Sequence, residues 1–381
     1  MITESDSSAF ECHLCEDASA KEIFSFARLK QVTSDCRPWK DGGRLGVCDL
    51  CGTVQKNAGA AWQTGAEEIY QEYKIYHQAG GVEQAAFDPA SGAPSERSRI
   101  ILEKAVRHLS LAKTGRLLDI GCGNGSLLRT FGAHYPDWAL SGTERNQQLS
   151  SEVAAIPGVE AVHGIEASEI SGIFDMISMV HVLEHIAHPV GFLKTLGKNL
   201  SPSGRLLIQV PIFTANPFDL TIADHCSHFT KTAISHLLSK SGFKVLRCEK
   251  DWVPKELTVI AAPEQAPATK AGPNPRAFDK AGDAVHWLET FADSIRTATA
   301  KGPVAIFGSS IAATWLFGEL GGNVSFFVDE DENRIGYTHL DRPIRSPGDV
   351  PKNISLALAL APSVANSVAD RLAGAGMTLL T

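Results

Sequence analysis

The strongest chemical signal in this chain is the run Leu117-Leu118-Asp119-Ile120-Gly121-Cys122-Gly123-Asn124-Gly125-Ser126. An apolar segment enters a Gly-x-Gly-x-Gly turn, and Leu127-Leu128 open the helical pattern that follows. Glycines let backbone adopt positive φ and come close to a ligand. A nicotinamide-binding turn normally reads Gly-x-Gly-x-x-Gly, with a pyrophosphate seated on the helix N-terminus. Here the third glycine comes one residue early, and Asp119 stands just before the turn. A carboxylate there repels pyrophosphate and suits a cationic group. Glu144 ends the next apolar run, about 20 residues beyond the turn, where an acidic side chain accepts both ribose hydroxyl protons.

Histidines supply the candidates for proton transfer, because the unperturbed imidazole pKa lies near working pH. They are His181, His185, His188, His225 and His228. His181 follows an apolar strand, at the carboxyl edge where open α/β sheets bind ligands. Glu184, His185 and Ile186 are expected to begin the next helix. The His181/His185 spacing could serve a metal, but only three potential ligands cluster there. In Asp224-His225-Cys226-Ser227-His228-Phe229-Thr230 the histidines lie on a loop, with Thr230 placed to cap a helix. His225 is the preferred base, and His228, beside Phe229, the packed partner.

Cys12/Cys15 and Cys48/Cys51 form two Cys-x-x-Cys pairs. Two such knuckles complete a tetrahedral S4 site for Zn(2+), and with no open position the ion would be structural. Gly52 permits the sharp turn after the second pair, and Cys36 is expected to be a bystander.

The elements that must position these groups follow from periodicity. A helix is expected over Glu67 to His77, with Tyr70, Tyr73 and Tyr76 on one face. That face either packs on the next domain or lines a cleft. From Thr114 to Pro263 apolar strands at Arg116–Ile120, Trp138–Gly142, Phe174–Val180, Arg205–Val210, Lys244–Cys248 and Leu257–Ala262 alternate with helical stretches such as Ala187–Leu200 and Thr230–Lys240. This predicts a doubly wound, mainly parallel sheet. An Ala/Pro-rich linker, Ala262 to Pro275, leads to a helix around Asp283 to Ala298 and strands at Val304–Phe307, Val324–Val328 and Ser355–Leu360. There Gly308 and Asp329 have the spacing of a dinucleotide site. The turn Gly308-Ser309-Ser310-Ile311-Ala312-Ala313 lacks the second and third glycines, which blocks pyrophosphate approach.

The 381 residues carry a net charge of −8, with 44% hydrophobic and 20% charged residues. That balance fits a two- or three-domain globular protein and argues against non-specific nucleic-acid binding. The polar, acidic start resembles no secretory signal, and no apolar run reaches the roughly 20 residues of a membrane span. Cytoplasmic residence and thiols that bind metal are therefore expected.

Asp119-Ile120-Gly121-Cys122-Gly123-Asn124-Gly125 resembles motif I of class I methyltransferases. Phe174-Asp175-Met176-Ile177-Ser178-Met179-Val180-His181-Val182-Leu183-Glu184-His185-Ile186 resembles their fourth-strand motif, and Ser201-Pro202-Ser203-Gly204-Arg205-Leu206-Leu207-Ile208 their turn into the fifth strand. The resemblance spans roughly residues 96–262 and implies S-adenosylmethionine as cofactor. Asp119, Gly121, Gly123 and Gly125 would hold its methionine end, Glu144 its ribose, and Glu166 would lie near adenine, with His181 beside the cofactor.

The whole chain resembles the three-domain sugar C-methyltransferases that act on nucleotide-linked keto-deoxysugars. This implies an α/β protein with an N-terminal zinc-binding module (1–66), a central Rossmann-like class I methyltransferase domain (67–264) and a C-terminal degenerate dinucleotide-fold domain (276–381). By the same resemblance His225, in the acidic-His pair Asp224-His225, would abstract a proton beside a ketone. Tyr76 or His181 would orient the reactants. The partner implied is a small molecule, a nucleotide sugar whose diphosphate could rest on the C-terminal domain. The chain differs from that branch in having Asp224 for Glu, Ile222 for an aromatic residue, and Lys255-Glu256-Leu257-Thr258 for a Gly-Gly-Ser stretch. O-methylation of a glycan or its precursor, and a non-catalytic zinc-dependent scaffold, are the competing readings. Oligomeric state is left open.

Overall fold

The protein is described here from a computed structural model, which covers residues 11–15, 19–74, 83, 85–87, 94–164, 166–265, 272, 274, 276–374 and 376–381. Helix α1 spans Ala60–Gln71 and α2 Arg97–Leu109. The central domain then runs β1 Gly115–Ile120, α3 Ser126–His134, β2 Trp138–Thr143, α4 Gln147–Ala154 and β3 Val159–His163. It continues with β4 Phe174–Val180, α5 Pro189–Leu196, β5 Leu200–Pro211, α6 Lys231–Lys240, β6 Phe243–Glu249 and β7 Glu256–Pro263. The seven strands line up as β3-β2-β1-β4-β5-β7-β6, with β7 antiparallel to both of its neighbours. The others of the sheet's centre, β1 to β5, pair in parallel.

The expected doubly wound α/β sheet is therefore present, and its order reverses between β1 and β4. Ligands bind outside the carboxyl ends of strands at such a reversal. Strands β1 and β4 are apolar on both faces: Leu117, Leu118, Met176, Ile177 and Met179 are all buried, as helices cover both sides. Helix starts are capped from the sequence. The Asn146 side chain accepts from the Gln148 and Leu149 amides to open α4, and Thr230 accepts from Ala233 to open α6.

Before this domain, strands Ala20–Glu22, Leu45–Cys48 and Val54–Lys56 form an antiparallel sheet. Its fourth strand comes from far along the chain. Ser227–His228 pairs with Val54–Lys56, His228 lying opposite Val54. After the central domain comes α7 (Arg276–Thr299), then parallel strands Val304–Phe307, Phe327–Val328, Arg342–Arg345, Ser355–Leu358 and Thr378–Leu380, with α8 Ile311–Glu319 and α9 Pro362–Leu372. One hydrophobic core joins Phe26, Val47 and Val54 of the first sheet to Phe218 and Leu220 of the loop after β5. The same core takes in Leu288, Phe291 and Trp315 from the last part of the chain.

Several elements differ from expectation. The helix expected over Glu67 to His77 is α1, which begins at Ala60 and ends at Gln71, so Tyr73 lies beyond it. Leu183–His185 is a single 3-10 turn, and α5 waits for Pro189, whose fixed φ suits a first helical position. Strand β3, Val159–His163, was not marked by periodicity because it is a half-exposed sheet edge. The strand expected over Val324–Val328 shortens to Phe327–Val328.

Candidate active site

A cavity of about 1200 Å³ opens over the carboxyl ends of β1, β2 and β4 and is also lined by Ser310, Arg334 and Leu360 from the last part of the chain. At one end lie Asp119, the glycine turn and Glu144. Gly121, Gly123 and Gly125 have φ of 63°, 55° and 80°, values open to glycine. A Cβ on Gly121 would come within 2.7 Å of Val182 Cγ2, and one on Gly125 within 2.4 Å of Ile156 Cδ1. The Thr143 hydroxyl accepts from the Gly121 amide at 2.9 Å and ties the turn to β2.

Asp119 is buried at the end of β1 and accepts one hydrogen bond from the Ser178 hydroxyl at 2.7 Å. Burial pushes its carboxyl up to about 7, although the Ser178 bond works against the shift. Burial also raises Glu144, partly offset by amides that include Asn146 N–H at 2.7 Å. A buried carboxyl, Asp119, and a half-buried one, Glu144, face one cavity, with Arg145 beside the latter; the pair suits a ligand that brings a positive charge to Asp119 and hydroxyl donors to Glu144. The donor set thus fits S-adenosylmethionine. Glu166 borders the same cavity at the start of the 3-10 turn Ala167–Glu169, while Ile165 lies outside the described residues.

At the opposite wall lies His225. Its Nδ1 is 2.7 Å from Asp219 Oδ1, and the other oxygen of that carboxylate is 2.8 Å from Nδ1 of His228. Asp219 is fully buried; despite the opposing cost of burial, the two histidines hold its carboxyl well below the usual carboxylate range. His225 lines the cavity and His228 does not, being seated in the interdomain sheet. Sequence reasoning missed Asp219. Its signal is only a polar residue in the apolar turn Pro217–Thr221, whose partners are known once the loop is folded.

Asp224 is not turned to the cavity. Its carboxylate accepts from the Ser34 amide at 2.9 Å and the Ser34 hydroxyl at 2.5 Å, and lies 3.3 Å from His185 Nδ1. Although burial opposes it, contact with His185 keeps this carboxyl low as well. Asp224 is thus a fastener between the loop and the N-terminal module, and Asp219 is the residue on His225. The same loop is tied down by Ala223 N–H to Val32 O at 2.7 Å, Trp62 Nε1 to Ala223 O at 2.9 Å, and the buried Lys56 ammonium to the Ile222 carbonyl.

His181 follows β4 with φ of 55°, a left-handed conformation rare outside glycine. Its Nδ1 is 3.2 Å from Glu184 and its Nε2 3.1 Å from Glu256. Glu256 is the first residue of β7, which runs antiparallel, so its beginning meets the carboxyl edge of the sheet; Pro211 at the end of β5 is its partner. Tyr70 and Tyr73 line the cavity, their rings 5.6 Å apart, and Arg145 stacks over Tyr70 at 5.1 Å. Tyr76 lies outside the described residues.

The thiols of Cys12, Cys15, Cys48 and Cys51 converge within 4.8 Å of one another. Cys12 and Cys51 sulfurs are 3.7 Å apart, and Cys15 and Cys48 sulfurs 3.9 Å. A tetrahedron with Zn–S near 2.3 Å requires sulfur separations of roughly 3.8 Å. The Cys15 and Cys51 amides each point at the first sulfur of their own knuckle, at 3.4 Å. All four are buried and Cys36 stands apart from them, so the donor set fits one structural zinc. In the C-terminal domain Asp329 accepts from Ser309 at 2.5 Å and lies 3.7 Å from Arg334. Its carboxylate is engaged where a dinucleotide's ribose would need it.

A mainly parallel sheet of this order, with a carboxylate-flanked glycine turn at its reversal point, is a Rossmann-like α/β fold. Residues 95–247 match the family model described as a methyltransferase domain. These residues therefore carry a methyltransferase domain. The chain is similar to the mitochondrial ubiquinone biosynthesis O-methyltransferase of Schizosaccharomyces pombe, 31% identical over 29% of this chain and 43% of that one. It is also similar to the trans-aconitate 2-methyltransferase of Methylobacterium nodulans, 28% identical over 30% and 45%. A solved S-adenosylmethionine-dependent methyltransferase from Clostridium acetobutylicum aligns with a TM-score of 0.37 at 12% identity, over 54% of this chain and 98% of that one. The chain spans less than half the length of these two curated relatives. Among the described residues no helix is long and apolar enough to cross a membrane.

Proposed function

We propose that this protein transfers the methyl group of S-adenosylmethionine to carbon of a nucleotide-linked keto sugar, with His225 as general base. When bound, the cofactor supplies an electrophilic methyl on a positively charged sulfur. Asp119 and the glycine turn receive its amino-acid end and Glu144 its ribose. His225 would take the proton from the carbon beside the acceptor's ketone, leaving the electron pair as an enolate, the nucleophile for a transfer in which the methyl–sulfur bond breaks and sulfur keeps its pair. Asp219 keeps a proton on Nδ1, which frees Nε2 to act and stabilises the imidazolium that forms.

The observation that carries the reading is the Asp219–His225 pair on the wall of a cavity that also holds Asp119 and Glu144. The size of that cavity and its boundary with the C-terminal domain favour an acceptor larger than a single sugar. The four cysteines would hold a structural zinc in the module that anchors the His225 loop. Wash-in of solvent deuterium at the acceptor carbon, with demethylated cofactor bound, tests the reaction. Exchange in the wild type and its loss in His225→Ala support it.

A second reading is O-methylation. It is favoured by the relative from S. pombe, which is an O-methyltransferase. The same dyad would then deprotonate a hydroxyl. An ether-linked methyl in the product, with no exchange at carbon, decides for oxygen. The scaffold reading requires that cofactor not bind, which calorimetry measures.

A further inference from the structure

His181 stands between two carboxylates, one at each ring nitrogen: Glu184 at 3.2 Å from Nδ1 and Glu256 at 3.1 Å from Nε2. A neutral imidazole has one N–H and one lone pair. Between two carboxylates its lone pair would face the lone pairs of an oxygen, whichever tautomer it took. The Nδ1 contact is a hydrogen bond, and the Nε2 contact is a close approach to Glu256 without hydrogen-bond alignment; a doubly protonated ring sets positive charge against both carboxylates and no lone pair against either. The carboxylates have the same need, since Glu184 is fully buried and Glu256 nearly so, and a buried charge must be paired. The ring's backbone is held in its left-handed conformation by the His181 amide bonding to the Gln209 carbonyl at 2.9 Å. That conformation is uncommon for a non-glycine residue and costs energy.

We propose that Glu256, acting with Glu184, fixes His181 as an imidazolium, and that this fixed cation stabilises the oxyanion formed on the acceptor when His225 removes its proton. The role in catalysis rests on the reading given above; the protonation state does not. Glu256 is the positioning residue, and His181 is the group that faces the reactants.

Burial alone would lower the His181 pKa, but Glu256 and Glu184 outweigh it and raise the ring to about 9. The charged groups acting on it are Glu184 from the turn after β4, Glu256 from β7 and Arg97 from α2, while Lys255, just before β7, acts on Glu256. Arg97 lies 3.9 Å from the other Glu256 oxygen and opposes His181 protonation. The two histidines of the cavity thereby divide the work. His225, hydrogen-bonded to Asp219 through Nδ1 alone, keeps its other nitrogen for the acceptor proton, with the Glu184 carboxylate within 4.8 Å of the ring. His181, between two carboxylates, has no proton to accept and contributes charge alone. Environments that set two titratable groups to opposite tasks mark acid and base assignments. The residue responsible belongs to the Lys255-Glu256-Leu257-Thr258 stretch, where this chain departs from the sugar C-methyltransferase pattern.

The test is histidine ring protonation read by two-bond proton–nitrogen spectra of the full chain labelled with [15N]histidine, assigned with His181→Asn. The expected result is a doubly protonated His181 at about pH 7.5, titrating near 9. In Glu256→Gln the midpoint should fall by about one pH unit or more, and Glu256→Asp should recover part of the shift. A neutral ring at about pH 7.5 in the wild type, or a midpoint that Glu256→Gln leaves unmoved, overturns the proposal. The wild-type titration stands by itself if the variant fails to fold. With a turned-over acceptor in hand, the alkaline limb of kcat should move to lower pH in Glu256→Gln and stay in place in Asp219→Asn; an unmoved limb in the former removes the catalytic role. The spectra need neither cofactor nor acceptor, so failure to find methyl transfer would leave the protonation result intact.

Discussion

Asp219 gives one carboxylate oxygen to His225 at 2.7 Å and the other to His228 at 2.8 Å, and so joins the cavity wall to the sheet of the N-terminal module. One buried side chain thereby orients the proposed base and anchors the strand behind it.

Replacing that carboxylate should separate chemistry from cofactor binding. Asp219→Asn is expected to reduce turnover by about 10²–10⁴-fold, the usual worth of a correctly held general base. Cofactor affinity, measured by calorimetry, should change little, because Asp119 and Glu144 lie on other strands. A variant as active as the wild type would remove Asp219 from the account.

Metal loss should act through the same loop. Elemental analysis is expected to find one zinc per chain, and Cys48→Ser should lose it. A structural site lost from a chain this size should lower the melting midpoint by roughly 5–10 °C for a few kcal/mol. Turnover should fall with it while cofactor still binds, since the His225 loop and not the glycine turn rests on the module. Full activity of a zinc-free protein would contradict this.

Cofactor binding should depend on pH through Asp119. Its carboxyl is raised to about 7 in the folded chain from an ordinary 3.8. The neutral form is the one that burial favours, so its contribution to stability is complete below the ordinary value and is lost as pH rises through 7. A cationic ligand favours the carboxylate and must displace the proton at lower pH. Affinity should therefore fall below pH 7, by up to about tenfold per unit. Asp119→Asn should melt higher than the wild type at about pH 8 without ligand, and bind cofactor far more weakly. Calorimetry in buffers of different ionisation enthalpy would reveal the proton released; a pH-independent affinity would count against the assignment.

Glycines should divide into two kinds. In Gly125→Ala the new Cβ meets Ile156 Cδ1 at 2.4 Å from a backbone with φ of 80°, a strain expected to cost about 1–3 kcal/mol and to disturb the cofactor turn. Gly282 sits inside α7 with nothing near its Cβ direction, so Gly282→Ala should stabilise by about 0.5–1 kcal/mol. Thermal melts of both variants check the contrast.

Local order is what the sequence by itself determined. Strands β1, β2 and β4, the glycine turn with Asp119 and Glu144, the Thr230 cap and the paired cysteines were all legible. Each depends on neighbours within a few residues: hydrophobic runs, positive φ and fixed spacing carry that information. The tertiary structure alone decided which acid serves which histidine. Asp224 is adjacent to His225 in the chain yet bonds Ser34 and His185, while Asp219, six positions back, turns to His225. It alone brought Glu256 to His181 and laid Ser227–His228 against Val54–Lys56. A buried carboxylate takes the partner that packing leaves within about 3 Å, and that distance is set by three sheets meeting, which no short stretch of sequence encodes.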